Sequence, residues 1–181
     1  MSAVTVRPEK PSDKAAIHAL TGAAFLGMAF SDGSEPDLVG QLRKDGDLAL
    51  SLVAEQADHG PVGPVVGHVV GHVVGHVAFS RVTISDNSAD WFGLGPVSVL
   101  PKFQRSGIGS ALINQGIAEL RQAGARGIVL LGDPGYYARF GFEHDPQLSY
   151  PGPPAEYFQR LVLDGAPPSG VVRYAGAFSA A

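Results

Sequence analysis

The chain of 181 residues has no cysteine. That absence removes a disulfide framework, a thiolate-bound zinc or iron–sulfur site and a thiol nucleophile. Charge is sparse as well: 17% of residues are Asp, Glu, Lys or Arg, and 13 basic against 17 acidic residues leave a formal charge of -4. The clustered Lys/Arg excess that neutralises phosphates is missing, so no nucleic-acid partner is expected. Long hydrophobic runs are missing too. The first ten residues lack the apolar segment of a signal peptide, and the most apolar stretch, residues 65–79, is short and broken by Gly and His. No membrane partner and a cytoplasmic location are therefore expected. What the chain has in plenty is Gly (24) and Pro (14), still below the level at which disorder is the default. A chain of this length buries about 70% of its unfolded surface, enough for one core without staples.

Periodicity and chain breakers outline the elements. Val4, Val6 and Pro8 suggest a first strand. Ser12 is placed to cap a helix whose apolar residues Ala15, Ile17, Ala19 and Leu20 lead to Phe25, and a second helix covers residues 36–44. Residues 48–55 read as a buried strand, 58–64 as a turn-rich loop, and 77–84 and 94–100 as further strands, the last ended by Pro101. Residues 107–123 carry Ile108, Leu112, Ile113, Ile117 and Leu120 at helical spacing, and Gly124 stands where a left-handed C-terminal cap belongs. A strand at 127–131 follows, then a short helix near Tyr136, strands near Phe142 and at 158–163, and a last strand at 171–174. Antiparallel strands enclosing one strand–helix–strand unit predict an α+β (mixed α/β) sheet in a single domain spanning residues 1–181.

Residues 65–76 repeat Val-Val-Gly-His three times. A four-residue unit preserves the strand period of two, so Val66, His68, Val70, His72, Val74 and His76 would share one face. Slipping by one unit changes no side chain, which leaves the register under-specified. A continuous strand from residue 65 to 84 would span about 66 Å at ~3.3 Å per residue, against a radius of gyration of about 16 Å for such a domain. Part of the repeat is expected to leave the sheet as a bulge, loop or hairpin arm, an insertion that the fold tolerates. Its exposed edge offers a second copy of the chain a strand to pair with, which keeps a homodimer among the expected partners. In an extended strand His68, His72 and His76 lie about 13 Å apart, too far to share an ion, and no metal site is assigned.

The informative block runs from Leu94-Gly95-Pro96-Val97-Ser98-Val99-Leu100 through Pro101-Lys102-Phe103-Gln104-Arg105-Ser106-Gly107-Ile108-Gly109-Ser110 to Leu112. A strand ends, a loop supplies two glycines and a helix begins. Glycines at 107 and 109 let main-chain N–H groups approach an anion, and the helix N-terminus adds unsatisfied donors and a positive dipole end. The result is a phosphate cradle. A dinucleotide fold asks for glycine at 112, where Leu112 stands, and a Walker loop asks for Gly-Lys-Ser/Thr, which is absent.

Gln104-Arg105-Ser106-Gly107-Ile108-Gly109 resembles the Gln/Arg-x-x-Gly-x-Gly/Ala pyrophosphate motif of the GNAT superfamily of acyl-CoA-dependent N-acyltransferases. Leu94 to Val99 looks like that family's central strand, and Tyr137-Ala138-Arg139-Phe140-Gly141-Phe142 like its later Tyr-x-Lys/Arg-x-Gly-Phe element. Gly132-Asp133-Pro134-Gly135-Tyr136-Tyr137 and Gly170-Val171-Val172-Arg173-Tyr174 resemble a bacterial branch described only as predicted N-acetyltransferases. The triplicated repeat departs from that branch, where one unit is usual. The resemblance implies a GNAT-type fold: a mostly antiparallel twisted sheet of about six to seven strands, flanked by helices and splayed at its central strands. It also implies acetyl-CoA as co-substrate and no metal.

Roles follow from the same resemblance. The pyrophosphate would sit on the loop of Gln104, Arg105, Ser106, Gly107, Ile108, Gly109 and Ser110. Val97, Ser98 and Val99 would meet the pantetheine arm through their backbone, the Val99 N–H donating to the thioester carbonyl. Tyr137 is the candidate acid, since a phenol of pKa ~10 can share a proton with a departing thiol of pKa ~8.5. The other reading of Tyr136 and Tyr137 is aromatic packing, with one of them lining the CoA tunnel. Glu35 and Asp133 are candidates for binding the cationic amine or relaying its proton, against a plain role as helix-start carboxylates. Asp90 and Trp91 either border the acceptor cleft or, in the case of Trp91, join the core. His18, His59 and His144 are scattered and make no hydrolase triad. The expected reaction is acetyl transfer to a primary amine of a small molecule or peptide by direct attack, without a covalent enzyme intermediate. The rivals are a catalytically silent acyl-CoA-binding or protein-interaction module on the same fold and, more remotely, an ATP-binding enzyme.

Overall fold

Strand β3 (Val73–Ile84) is buried without a break from Val73 to Ser80, because it is covered on both faces and paired on both edges. The computed structural model describes residues 4–28, 31–56 and 73–179. Across its sheet lie β1 (Val4–Pro8), β2 (Leu48–Gln56), β3, β4 (Trp91–Val99), β5 (Gly127–Leu131) and β7 (Phe158–Val162), in that order. Strand β8 (Gly170–Tyr174) pairs with the far end of β3, and the two-residue β6 (Leu148–Ser149) pairs with β8. Neighbours are antiparallel except β4–β5 and β6–β8. The eight strands form the mostly antiparallel mixed sheet expected, with one strand beyond the six or seven anticipated.

Alternation along β2 assigns the faces. Leu52 and Ala54 join the cluster under α3 (Ile108–Gln122), while Val53 between them joins the cluster under α1 (Lys14–Phe25) and α2 (Glu35–Asp45). Helix α3 comes close to the sheet because two glycines leave room. A Cβ on Gly116 would lie 2.3 Å from the Phe79 ring, and one on Gly75 would lie 2.9 Å from Ile108 Cγ2 and 3.0 Å from Leu112 Cδ1. Gly75 is the glycine of the third Val-Val-Gly-His unit, so that unit seats the first turn of α3.

Local differences from the sequence reading have identifiable causes. The first helix begins at Lys14 after a 3-10 turn, Pro11–Asp13, and Ser12 does not cap it. The Asp13 carboxylate makes no cap hydrogen bond to that helix either; it turns back, accepting from the Lys10 N–H at 2.7 Å and from Arg7 at 2.7 Å, an ion pair that a serine hydroxyl cannot match. Strand β3 starts four residues earlier than expected and β4 three. A register irregularity opposite Ala54 and Glu55 sends Val73 to the α1 cluster and Val74 to the α3 cluster, so Val74 and His76 do not share a face as the repeat predicts. The first two repeat units and the 58–64 loop lie outside the described residues. No strand forms at Phe142; that residue is buried in the core after a left-handed Gly141, and Glu143 makes a single bridge to Arg160. No helix among the described residues is long and apolar enough to cross a membrane.

A buried polar row underlies α1 and α2. Arg43 donates to both Glu9 carboxylate oxygens, at 2.8 and 3.0 Å, Ser51 Oγ donates to Glu9, and His76 Nε2 lies 2.9 Å from Ser51 Oγ. Because Ser51 gives its only proton to Glu9, the His76 Nε2–H is the donor in the last link. His76 is fully buried and its Nδ1 has no partner among the described residues. Burial, with a smaller push from Arg43 and against the pull of Glu9, lowers its pKa from 6.5 to about 4. At Glu9 burial alone would raise the pKa, but the hydrogen bonds from Arg43 and Ser51 prevail and hold it below the usual range.

A neutral histidine that accepts a proton only when the chain unfolds makes stability fall with acid. The loss starts as pH drops through 6.5 and is complete near 4. At pH 5 the protein should be about 2 kcal/mol less stable than at pH 7 from this group alone, as measured by urea unfolding at the two pH values. A His76→Asn variant should show a flatter dependence; an equally steep one would assign the effect to other groups.

Candidate active site

Strands β4 and β5 pair only through Trp91–Gly127, Phe92–Ile128 and Gly93–Val129. From Leu94 onward β4 stays with β3 and β5 stays with β7, so the sheet opens into a V. The root is packed shut on one side by the Trp91 ring, which occupies the space a Cβ on Gly127 would need (2.2 Å). On the same face Tyr174 crosses Gly93, where a Cβ would come within 2.5 Å of its ring. Its hydroxyl and that of Ser80, the β3 partner of Gly93, are buried and have no partner among the described residues. Trp91 thus belongs to the core, and Asp90 holds the Arg126 N–H through its carbonyl at 2.9 Å.

A bulge sets which way the β4 backbone faces. Phe79 pairs with Leu94 and Val77 with Val97, so β4 carries one residue more than β3 around Gly95 and Pro96. Beyond it the Leu100 N–H donates to Val74 O at 3.0 Å. By alternation Ser98 also faces β3, and the N–H and C=O groups of Val97 and Val99 face the gap. Gln104 folds back, its amide donating to Val99 O at 3.1 Å. The Ser98 hydroxyl is buried and donates to Thr21 Oγ1 on α1 at 3.2 Å. Of the three residues expected to meet a ligand through their backbone, Ser98 is the exception: it anchors the strand.

The loop ends in two left-handed residues, Arg105 (φ 61°) and Gly107 (φ 90°), which turn the chain into α3. Ala111 N–H bonds Gly107 O at 2.9 Å, whereas the N–H groups of Ile108, Gly109 and Ser110 have no acceptor within the helix. They point from the mouth of the V with the positive end of the helix dipole behind them.

After β5, Asp133 caps the short helix α4 (Pro134–Tyr137), its carboxylate accepting from Gly135 N–H at 2.9 Å. Tyr137 is tucked against Gly132, where a Cβ would lie 2.3 Å from its ring, and packs edge-on to Phe142 and Tyr136 at 6.0 and 5.0 Å between centroids. Burial, then the neighbouring Tyr136, push its pKa up to about 12. Tyr136 instead reaches Gly109 across the gap. Glu35 sits in the first turn of α2 and accepts from Ser31 Oγ at 2.8 Å; among the described residues no hydrogen bond or ion pair joins it to the gap. His18 meets Asp37 at 3.1 Å, His144 Nδ1 lies 3.2 Å from Phe158 O, and His59 is outside the described residues. No group of three His, Asp or Glu among the described residues is placed to hold a metal ion.

The structure therefore gathers Val97, Val99, Gln104 to Ser110 and Tyr137 around one gap, and leaves Glu35 and Asp133 engaged elsewhere. It adds Gly132 and Tyr174, which sequence reasoning did not assign, and brings Tyr136, read there as packing or tunnel lining, to Gly109. Gly93 inside a strand was the signal for Tyr174, since a strand glycine marks a close approach.

Comparison with known proteins gives a consistent picture. The model of the acetyltransferase (GNAT) family matches residues 22–142. The uncharacterized N-acetyltransferase YhbS of Escherichia coli K12 is 33% identical over 165 residues, 89% of each chain. Among solved structures, a GNAT family acetyltransferase from Brucella melitensis in complex with acetyl-CoA is 44% identical, with a TM-score of 0.81 over 98% of this chain and 99% of that one. The structure of YhbS from Escherichia coli in complex with CoA is 33% identical, with a TM-score of 0.81 over 99% and 93%.

Tyr137 is held in place by the absence of a side chain at 132. Gly132→Ala should destabilise the protein by about 1–3 kcal/mol through overpacking. Gly135→Ala, whose Cβ would meet only Asp133 Oδ1 at 3.3 Å, should cost less. Urea unfolding of the pair checks this, and equal costs would remove the contact from consideration.

Proposed function

Because the chain belongs to the GNAT acetyltransferase family, we propose that it moves an acetyl group from acetyl-CoA to a primary amine of a small molecule or peptide, by direct attack of the amine on the thioester. The observation that carries this reading is the gap between β4 and β5, lined by outward backbone groups and closed at its mouth by the glycine loop.

The residues fit the co-substrate. The N–H groups between Arg105 and Ser110, with the α3 dipole, suit a diphosphate. Val97 and Val99 present main-chain donors and acceptors at the spacing of a missing strand, which suits the amides of a pantetheine arm. When bound, acetyl-CoA supplies the activated acyl carbon. The Val99 N–H then stands ready to donate to a carbonyl oxygen as negative charge gathers on it.

Tyr137 holds its proton firmly. A phenol near 12 facing a thiol near 8.5 would give that proton up completely only at a cost of about 5 kcal/mol. Its part is therefore to hydrogen-bond the leaving sulfur and share the proton, with solvent completing the protonation. The amine must arrive neutral, and no carboxylate is assigned to it, since Glu35 accepts from Ser31 and Asp133 caps α4.

Calorimetric titration with acetyl-CoA, and with ATP as control, tests the reading first. Saturable one-to-one binding of acetyl-CoA alone is expected, followed by thiol release when a library of amines is offered. A folded sample that binds neither, or binds ATP in competition with CoA, defeats the proposal; binding without turnover on any amine favours the silent module. Tyr137→Phe should lower kcat by about 10–100-fold with acetyl-CoA affinity changed less than about twofold. An unaltered kcat removes Tyr137 from the chemistry.

A further inference from the structure

Two tyrosines stand in succession at the mouth of the gap, and the chemistry above uses only the second. Tyr136 starts on the β5 side and ends on the β4 side. Its Oη lies 3.4 Å from the point where a Cβ on Gly109 would sit, and Val99 Cγ2 lies 3.8 Å from that same point. Gly109 belongs to the first turn of α3, whose N–H groups have no acceptor in the helix. The phenol oxygen thus sits beside the anion cradle, and it has no hydrogen-bond partner among the described residues.

The ring is held in that direction. Tyr137 and Phe140 pack edge-on to it at 5.0 and 5.6 Å between centroids. Arg139 lies over its face at 4.5 Å and donates through Nε to Tyr136 O at 2.8 Å. With Nε so used, the two Nη groups of Arg139 meet no acceptor among the described residues. A neutral donor, a cation fixed beside it and a row of helix N–H groups opposite make the surroundings of an anion, and the helix alone would supply only one side of them.

We infer that Tyr136 binds the diphosphate of acetyl-CoA: its hydroxyl closes over the anion on the first turn of α3, and Arg139 acts through the ring as a positioning residue that also adds positive charge. This rests on the acetyl-CoA reading above. It separates the two tyrosines by task, Tyr136 for affinity and Tyr137 for turnover.

The test is calorimetry of wild type, Tyr136→Phe and Arg139→Gln with two ligands: acetyl-CoA, and 3′-phosphoadenosine 5′-diphosphate, which carries the diphosphate and no pantetheine. Losing a hydrogen bond to a charged group should weaken Tyr136→Phe about tenfold or more toward both ligands, and Arg139→Gln should weaken both as well. In turnover the Tyr136→Phe loss should fall on the KM for acetyl-CoA rather than on kcat, the reverse of Tyr137→Phe. Unchanged or tighter binding by Tyr136→Phe overturns the inference. A loss confined to acetyl-CoA also overturns it, since the contact would then be with pantetheine. Wild type that binds neither ligand sinks the acetyl-CoA reading itself, which is a separate failure. Thermal unfolding of each variant distinguishes a folding defect from lost binding.

Discussion

Strand β4 gives up its partner after three residues, and the site exists because of that. Main-chain groups inside a sheet are almost always paired, and leaving them bare in a buried setting is costly. Here the groups of Val97 and Val99 are bare only because a bulge at Gly95 and Pro96 turns them outward while β5 diverges. Gln104 offsets part of that cost by donating to Val99 O. An extended ligand offering amides at strand spacing removes the rest, so recognition works through backbone pairing and valine side chains suffice at both positions.

The same strand is held firm from its other side. Ser98 ties β4 to Thr21 on α1, and its β3 neighbour His76 is tied through Ser51 and Glu9 to Arg43 on α2. Buried polar groups are expensive unless paired; this row is paired except at His76 Nδ1, and its directional bonds favour one arrangement where an apolar contact tolerates several. It therefore locks β3 and β4 in register, against a sequence whose Val-Val-Gly-His units would otherwise permit a slip. The third unit has its glycine under Ile108 and Leu112 and its histidine against Ser51. The repeat is degenerate by itself, and its neighbours make the choice.

Much of this was legible in the chain because the signals were local. The glycine loop, the α3 periodicity and the left-handed cap at Gly124 all lie within a few residues of what they specify, and the structure shows each. What escaped was decided at long range. Asp13 turns away from α1 to bind Arg7 on β1 and the Lys10 N–H, and the sequence left Asp133 open between a helix-start carboxylate and a substrate contact, whereas in the structure it bonds Gly135. The strand expected at Phe142 looked sound by composition, but Gly141 turns the chain and Phe142 is used to fill the core beneath Tyr137. A hydrophobic residue satisfies a strand pattern and a core equally well, and only the partner tells them apart.

The pair Tyr136 and Tyr137 shows that limit most sharply. Adjacent residues on a helical turn point about 100° apart, so the two rings diverge although both pack against Phe140, and identical side chains give the sequence no means of ranking them. The structure separates them by their surroundings. Gly132 opens a recess that admits the Tyr137 ring, where a Cβ would lie 2.3 Å from it, while the Tyr136 hydroxyl faces Gly109 across the gap at ordinary contact distance, 3.4 Å from where a Cβ would sit. Gly132 is specified by the tyrosine it admits and not by a left-handed backbone, whereas Gly107 of the anion loop is required by its φ of 90°. The two tyrosines are thus ranked by a glycine just before them and by a loop on the far side of the gap, and no local pattern reads either.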